Sequence, residues 1–128
     1  MTANSHTTIP VVFLSGMLAD YRMWQPVIAR MEARGRIGTA PAIAPIIPAL
    51  DTKDDVQAVA RDVLEQVPDR VVLVGMSMGG YVAFEILRMA RERVSHLMLV
   101  NTRAMADDPV MRRRRLLLAR LSGVNLPF

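Results

Sequence analysis

Short apolar runs alternate with longer amphipathic segments along this chain. The apolar runs are rich in Val, Ile, Leu or Ala and predict buried strands. They lie at about 11–14, 42–44, 71–74 and 95–100. Segments with apolar residues at helical spacing lie at about 23–33, 53–66, 78–91 and 112–121. Because strands alternating with helices are typical of a parallel sheet flanked by helices, the pattern predicts the α/β class with about four strands and four helices.

Polar residues, glycine and proline between these segments predict where the elements begin and end. Asp20 is expected to cap the first helix, and Gly35 to stop it. Asp51 or Thr52 is expected to cap the second helix. Pro45 and Pro48 are expected to shape a loop beyond the second strand, because proline cannot donate to a strand ladder.

The most informative motif is the hexapeptide Gly75–Gly80, which fits G-x-S-x-G between a predicted strand and a predicted helix. A serine on such a sharp turn presents its hydroxyl clear of the sheet. Gly75 and Gly79 are expected to flank Ser77 because a Cβ at either position would clash as the strand folds back into the helix. Gly80 is expected to let the helix lie close to neighbouring backbone. A plain tight turn is the structural alternative for this motif.

Two other glycine-rich motifs do not fit this segment. A dinucleotide-binding turn requires G-x-G-x-x-G, a spacing that the glycines here do not have. A phosphate-binding P-loop requires a lysine after its last glycine, and Tyr81 occupies that position. The nucleophile turn is therefore the preferred interpretation.

From about Val11 to Leu121 the sequence resembles the α/β-hydrolase superfamily, in particular its small bacterial carboxylesterase-like members. The features that carry the resemblance are a strand ending in a turn with glycine, an early tryptophan in the next helix, and the serine turn. In this sequence they are Leu14-Ser15-Gly16-Met17, Trp24 and Gly75 to Tyr81. Ser15 departs from the family, which usually has His or Pro there. The resemblance covers about half of a full member.

The resemblance implies a role for each matching residue. Ser77 would be the nucleophile, and the backbone N–H groups of Met17 and Met78 would form the oxyanion hole. Ser15 and Gly16 would belong to the oxyanion loop. The implied activity is hydrolysis of a small-molecule ester, thioester or related acyl substrate, without a metal or organic cofactor. It also implies a flexible tail at residues 1–10, an N-terminal hydrolase portion at 11–128, and the start of a lid or cap at about 104–128.

A general base and an acid are expected to be missing from the neighbourhood of Ser77. The family order places the acid and then the histidine far downstream of the serine. His6 lies in the polar N-terminal segment, and His96 lies near the start of a strand, at the end opposite to the catalytic edge. Asp107 and Asp108 are expected to cap the last helix. No acid or base is therefore assigned, and little turnover is expected of the chain alone.

Composition narrows the remaining classes. The chain has 128 residues, no cysteine and a net charge of +4. No apolar run reaches the roughly 18 residues of a membrane span, and no secretory signal is apparent, so a cytoplasmic protein without a membrane partner is expected. The run Arg112–Arg115 is interpreted as a solvated helix face. No aromatic residues accompany it, so a nucleic-acid partner is not expected.

Several explanations of the missing acid and base stay open. The chain is either a truncated hydrolase or a short protein that uses the half-fold differently, as a non-catalytic module that binds acyl or carboxylate ligands. A separate chain that supplies the acid and base is a third explanation. A sheet that ends at the fourth strand would expose an apolar edge, so self-association through that edge is expected.

Overall fold

A computed structural model of the chain describes residues 8–38 and 40–123. Its strands are β1 (Ile9–Leu14), β2 (Ile43–Ile46), β3 (Val71–Met76) and β4 (Val94–Val100). Its helices are α1 (Gln25–Arg36), α2 (Val56–Gln66), α3 (Met78–Ala90) and α4 (Pro109–Ser122). Short 3-10 turns occupy Tyr21–Met23 and Arg91–Arg93. The described residues thus confirm the predicted four strands and four helices.

The strands form one parallel sheet in the order β2-β1-β3-β4. In the register between the two central strands, Leu14 lies opposite Gly75. Met76, the last residue of β3, lies opposite Val100, the last residue of β4. The carboxyl ends of β1, β3 and β4 therefore meet at one edge of the sheet, the place where open α/β sheets bind their ligands.

Alternating side chains of the central strands enter two separate hydrophobic clusters. Val12, Leu14 and Leu73 pack on the face covered by α2 and α3. The two helices contribute Val63 and Val82, respectively, among others. The intervening side chains face the opposite side, where α1 packs. These are Val11, Phe13 and Val74, together with Trp24 and Ile28 from the α1 side. Because both faces of the central strands are covered, their sequences are apolar throughout, as in other parallel sheets.

Several element boundaries differ from the predictions, and each has a local cause. The first helix continues through Gly35 to Arg36, because a single glycine weakens a helix without ending it. Pro45 lies inside β2 rather than in a loop beyond it. This position is tolerated because β2 is an edge strand, which has one side free of ladder bonds. The second helix is capped by Asp55, whose side chain accepts from the N–H of Ala58, and not by Asp51 or Thr52.

The start of the chain also departs from expectation. Ile9 and Pro10 already belong to β1, so part of the predicted tail at 1–10 is strand. Asp20 caps the 3-10 turn Tyr21–Met23 rather than α1 itself. Residues 1–7, including His6, lie outside the described residues.

The last strand and the last helix are more exposed than the rest of the described chain. The side chains of β4 from Leu97 to Val100 are all exposed, as the sequence predicted for an apolar edge. In α4 the leucines are exposed as well, so no neighbour among the described residues covers its apolar face. The arginine run is also not uniformly solvated, because Arg115 is half-buried and pairs with Asp107 at 3.1 Å. None of the described helices is both long and apolar enough to cross a membrane.

Candidate active site at the carboxyl edge of the sheet

Ser77 connects β3 directly to α3 through a strained backbone. Its dihedral angles are φ 49° and ψ −113°, a combination that side-chain-bearing residues rarely adopt. Such a conformation costs on the order of 1–3 kcal/mol and persists only where the surroundings enforce it. The Ser77 side chain is partly exposed and makes no capping bond to the helix. The turn therefore presents a hydroxyl that the helix does not use.

Two flanking glycines allow the strand and the helix to approach this closely. A Cβ on Gly75 would lie 2.8 Å from the carbonyl oxygen of Gly79. A Cβ on Gly79 would lie 2.5 Å from the carbonyl carbon of Leu14 and 2.8 Å from the carbonyl oxygen of Ser15. All three distances fall well below van der Waals contact. The expectation that a side chain at either position would clash is confirmed.

Gly80 leaves room for the side chain of a neighbouring residue rather than for neighbouring backbone. A Cβ there would lie 2.6 Å from Cγ2 and 2.7 Å from Cβ of Thr102, which follows the end of β4. The expected close neighbour was backbone, so this detail of the prediction is wrong. The motif predicts a close neighbour at Gly80. It does not identify Thr102 as that neighbour, because Thr102 lies 22 positions later in the chain.

The loop after β1 lies beside the serine turn. A Cβ on Gly16 would lie 3.7 Å from Cβ of Ser77, an ordinary contact distance. The N–H of Ala19 donates to the carbonyl oxygen of Gly16 at 3.2 Å, which closes a tight turn around Met17 and Leu18. Leu18 has φ 58°, so this turn also contains a residue with a positive φ. The structure thus brings the two predicted oxyanion segments together.

Ser15 has a structural role that the sequence did not predict. Its side chain is buried, and its Oγ accepts a hydrogen bond from Nε1 of Trp24 at 3.1 Å. Trp24 is itself buried and packs against Phe13, with ring centroids 5.1 Å apart. The serine therefore satisfies the indole N–H in the core beneath the loop. The early tryptophan was the one signal available in the sequence, because a buried indole N–H needs an acceptor, but it does not say which residue accepts.

Met78 and Met17, the predicted oxyanion donors, lie at the start of α3 and in the turn after β1. Met78 is the first residue of α3, so its N–H has no acceptor within the helix. Its side chain is buried and packs in the cluster on the α2 and α3 face, where the Met17 side chain joins it. A cavity of about 370 Å³ opens beside these segments, and its lining includes Gly16, Leu18 and Met78. Ser77 itself is not among the residues that line this cavity.

The structure places no histidine of its described residues next to Ser77. His96 is exposed on β4 and lies in register with Val72. Five positions of strand separate Val72 from Ser77, a distance of roughly 16 Å at ~3.3 Å per residue. The expectation that His96 is a surface residue at the wrong end of the sheet is confirmed.

Three aspartates near this edge are committed to other contacts. Asp108 caps α4 by accepting from the N–H of Met111 at 2.8 Å, as predicted. Asp107 pairs with Arg115 rather than capping the helix. Asp20 accepts hydrogen bonds from the side chain and the N–H of Arg22, and these bonds hold the pKa of Asp20 below its ordinary value. A carboxylate with a lowered pKa is a weak general base.

A second cavity, of about 470 Å³, lies between α3, α4 and the loop that joins β4 to α4. Tyr81 and Arg115 line it, and Arg115 donates to the Tyr81 hydroxyl at 2.6 Å. Neither Ser77 nor the loop after β1 contributes to this cavity. Among the described residues, no group of three or more His, Asp or Glu side chains is arranged to bind a metal ion.

Comparison with known proteins identifies the family. The model of the alpha/beta hydrolase family matches residues 11–127. That range includes all of the sheet except Ile9 and Pro10, together with the serine turn and the loop after β1. The chain belongs to the alpha/beta hydrolase family.

Three of the similar proteins are two esterases and a thioesterase domain, and the chain spans less than half of each of these three. It is 28% identical over 96 residues to the pimeloyl-[acyl-carrier protein] methyl ester esterase of Legionella pneumophila, which covers 73% of this chain and 38% of that protein. A thermophilic esterase from Thermogutta terrifontis superposes with a TM-score of 0.64 at 27% identity, covering 90% of this chain and 44% of that one. The thioesterase domain of the curacin biosynthetic pathway gives a TM-score of 0.63 at 21% identity, covering 93% and 47%. At that identity the last likeness shows the fold alone.

Proposed function

We propose that this chain carries the nucleophilic half of a serine hydrolase that acts on an ester, thioester or related acyl substrate. The observation that carries the proposal is the strained backbone of Ser77 between β3 and α3. A serine without a catalytic role would gain by relaxing into an unstrained turn. Strain of this kind concentrates at functional sites, where the surrounding structure enforces it.

In the proposed reaction, Oγ of Ser77 attacks the carbonyl carbon of the substrate and gives up its proton to a base. The carbonyl oxygen becomes an oxyanion, which the N–H groups of Met17 and Met78 stabilise. Such donors are each worth on the order of 3 kcal/mol in serine hydrolases. The leaving alcohol or thiol takes up a proton as the acyl-enzyme forms, and water then releases the acyl group as a carboxylic acid. No metal or organic cofactor takes part in this scheme.

The relatives support the acyl class of substrate but not an individual substrate. The protein from Legionella pneumophila is named for a methyl ester, and the Thermogutta terrifontis protein is an esterase. Both share this chain's half of the fold, which contains the nucleophile turn and the loop after β1. We therefore propose a small-molecule acyl substrate, and the cytoplasmic location stays a prediction.

We propose that the 128-residue chain alone turns over slowly. Serine is a poor nucleophile at neutral pH without an adjacent base, and no described histidine lies beside Ser77. Members of a catalytic triad act as a unit, so losing one of them costs several orders of magnitude in rate. A fully active enzyme would take its base and acid from residues other than those described here.

A fluorophosphonate probe tests the nucleophile. We expect slow labelling of the chain at Ser77, located by peptide mass spectrometry, and none in Ser77→Ala. Ser95→Ala is the matched control, because it removes a hydroxyl that bonds to the Val71 carbonyl at the other end of the sheet. Labelling that persists in Ser77→Ala would contradict the assignment. Fast hydrolysis of p-nitrophenyl esters that Ser77→Ala abolishes would contradict only the slow turnover.

The second candidate is a non-catalytic module that binds carboxylates or acyl ligands. The absence of a base beside Ser77 among the described residues favours it, and the first turn of α3 supplies N–H donors of the kind that bind anions. This module would bind an acyl carboxylate in calorimetry without reacting with the probe. Binding without labelling would therefore select it over the hydrolase.

A further inference from the structure

Thr102 makes a direct bond to the serine turn. It lies two residues beyond the end of β4, and its Oγ1 donates to the carbonyl oxygen of Ser77 at 2.8 Å. The N–H of Gly80 donates to the same oxygen at 3.0 Å. The Ser77 carbonyl oxygen thus has two donors, one from the helix that follows it and one from a neighbouring strand's end.

The fit between Thr102 and Gly80 shows that this contact is built into the turn. Any side chain at Gly80 would occupy the volume of the Thr102 side chain. The N–H of Ser77 also donates to the carbonyl oxygen of Val100 at 3.0 Å. The end of β4 therefore contacts both the N–H and the C=O of the strained residue.

The Ser77 carbonyl is linked rigidly to the predicted oxyanion donor. The C=O of Ser77 and the N–H of Met78 belong to one planar trans peptide, in which they point in opposite directions. A contact that fixes the direction of the carbonyl therefore fixes the direction of the Met78 N–H. Because Met78 begins α3, no bond within the helix fixes this N–H.

We propose that Thr102 is a positioning residue, which aims the Met78 N–H at the oxyanion by binding the Ser77 carbonyl from behind. This inference rests on the proposed serine hydrolase function. Thr102 does not touch the substrate. It acts through the peptide plane between Ser77 and Met78, so its hydroxyl should affect the chemical step and not the binding of the reagent.

The test compares Thr102→Val, Thr102→Ser and Ser95→Ala in the full chain. Thr102→Val keeps the shape and removes the donor, whereas Thr102→Ser keeps the donor. Ser95→Ala removes the equivalent hydroxyl-to-carbonyl bond at the amino end of β3 and β4. For fluorophosphonate labelling of Ser77, we expect Thr102→Val to lower the maximal rate about tenfold, since the donor is misdirected rather than removed. The half-saturating concentration should stay unchanged.

Thr102→Ser and Ser95→Ala decide whether the loss in labelling rate comes from the position of the Met78 N–H. We expect Thr102→Ser to recover most of the labelling rate and Ser95→Ala to match the wild type at equal thermal stability. A Thr102→Val rate within twofold of wild type, or a loss that Ser95→Ala shares, would overturn the inference.

A measurement without a reagent separates this inference from the proposed function. In 15N–1H NMR spectra, the Met78 amide should shift in Thr102→Val, return in Thr102→Ser and stay in place in Ser95→Ala. If the wild type does not label but this pattern appears, the hydrolase proposal fails and the positioning of the amide stands. An unshifted Met78 amide in Thr102→Val overturns the inference whatever the labelling shows.

Discussion

The elbow region, formed by β1, β3 and α3, differs sharply in packing from the edge region, formed by β4 and α4. Leu73 on β3 and Leu97 on β4 are register partners in the same sheet. Leu73 is 0% exposed, whereas Leu97 is 38% exposed. The strained serine turn thus lies against a fully packed pair of strands, while the next strand out has its apolar side chains in contact with water.

This difference shows what the serine turn requires. The atoms that enforce its geometry come from β1, β3, the first turn of α3 and the last residues of β4. The turn does not require that the outer faces of β4 and α4 be covered. The strained turn at Ser77 is therefore enforced by its own neighbours, while the surface of β4 and α4 remains open. In contrast, His96, the histidine among the described residues, lies at the other end of the sheet.

Substitutions of Leu73 and Leu97 should give the largest change in stability, and the difference between the two measures the difference in packing between the elbow and edge regions. We expect Leu73→Ala to lower the free energy of unfolding by about 4 kcal/mol, because it leaves a cavity in a packed core. Leu97→Ala should cost about 1 kcal/mol, because its side chain is already partly in water. Urea unfolding followed by the fluorescence of Trp24, the single tryptophan, gives both values.

The same pair also tests the proposed self-association through the β4 edge. If a second copy covers β4 in solution, Leu97→Ala should cost as much as Leu73→Ala, and its cost should grow with protein concentration. Sedimentation velocity on the wild type and on Met98→Lys, a charge placed on the exposed edge, measures the association itself. A monomer at all concentrations would contradict the association.

A glycine pair gives the next largest effect. Gly79→Ala should destabilise the protein by about 3 kcal/mol, because its Cβ would overlap the carbonyl groups of Leu14 and Ser15. Gly38→Ala is the control, since a Cβ there meets nothing within 4 Å and only the positive φ of 71° opposes it. That backbone cost is about 1 kcal/mol. Equal losses in the two variants would show that the elbow is less tightly packed than its geometry indicates.

The N-terminal caps of α2 and α4 should also differ in how much they contribute to the stability of the whole protein. Asp55 caps α2, which packs on the core, and Asp108 caps α4, whose leucines are exposed. Replacing a capping aspartate by alanine costs about 1 kcal/mol of helix stability. We expect Asp55→Ala to shift the whole unfolding transition, and Asp55→Asn to preserve it. Asp108→Ala should reduce helical circular dichroism without moving the Trp24 transition, because α4 can unfold locally.

The sequence predicted the elements that depend on local pattern. Ser77, Gly75 and Gly79 follow from a motif within six residues, and the strands follow from continuous apolar runs. The predictions failed where a distant segment decides the outcome. Pro45 is accommodated in β2 only because β2 lies at the edge of the sheet. Thr102 contacts Ser77 across 25 positions of sequence.

Parts of the site stay predictions for the same reason. The roles of the Met17 and Met78 N–H groups depend on angles toward a substrate, and composition and spacing do not encode such angles. Ser15 stays a predicted part of the oxyanion loop, and its hydroxyl accepts from Trp24. A buried tryptophan nine residues later was the available signal, but only the fold shows that the two side chains meet.

The exposed pair Asp20–Arg22, beside the elbow, should give the smallest effect, seen only in acid. Its 2.6 Å ion pair and the hydrogen bonds from Arg22 hold the pKa of Asp20 below its ordinary value of 3.8. A carboxyl whose folded pKa is lowered contributes stability above its ordinary pKa, and that stability is lost as the pH falls through the lowered value. The pair is solvent-exposed, so salt should weaken it.

Carboxyl NMR titration of Asp20 checks this shift. In Arg22→Gln the pKa of Asp20 should rise toward 3.8, and in 1 M salt the wild-type value should move in the same direction. Because Asp20 already binds Arg22 and not Ser77, fluorophosphonate labelling should be the same in Arg22→Gln and in the wild type. A clear change in labelling would mean that Asp20 assists the serine. The acid would then lie in the elbow region itself, and the contrast between a complete turn and a distant acid would no longer hold.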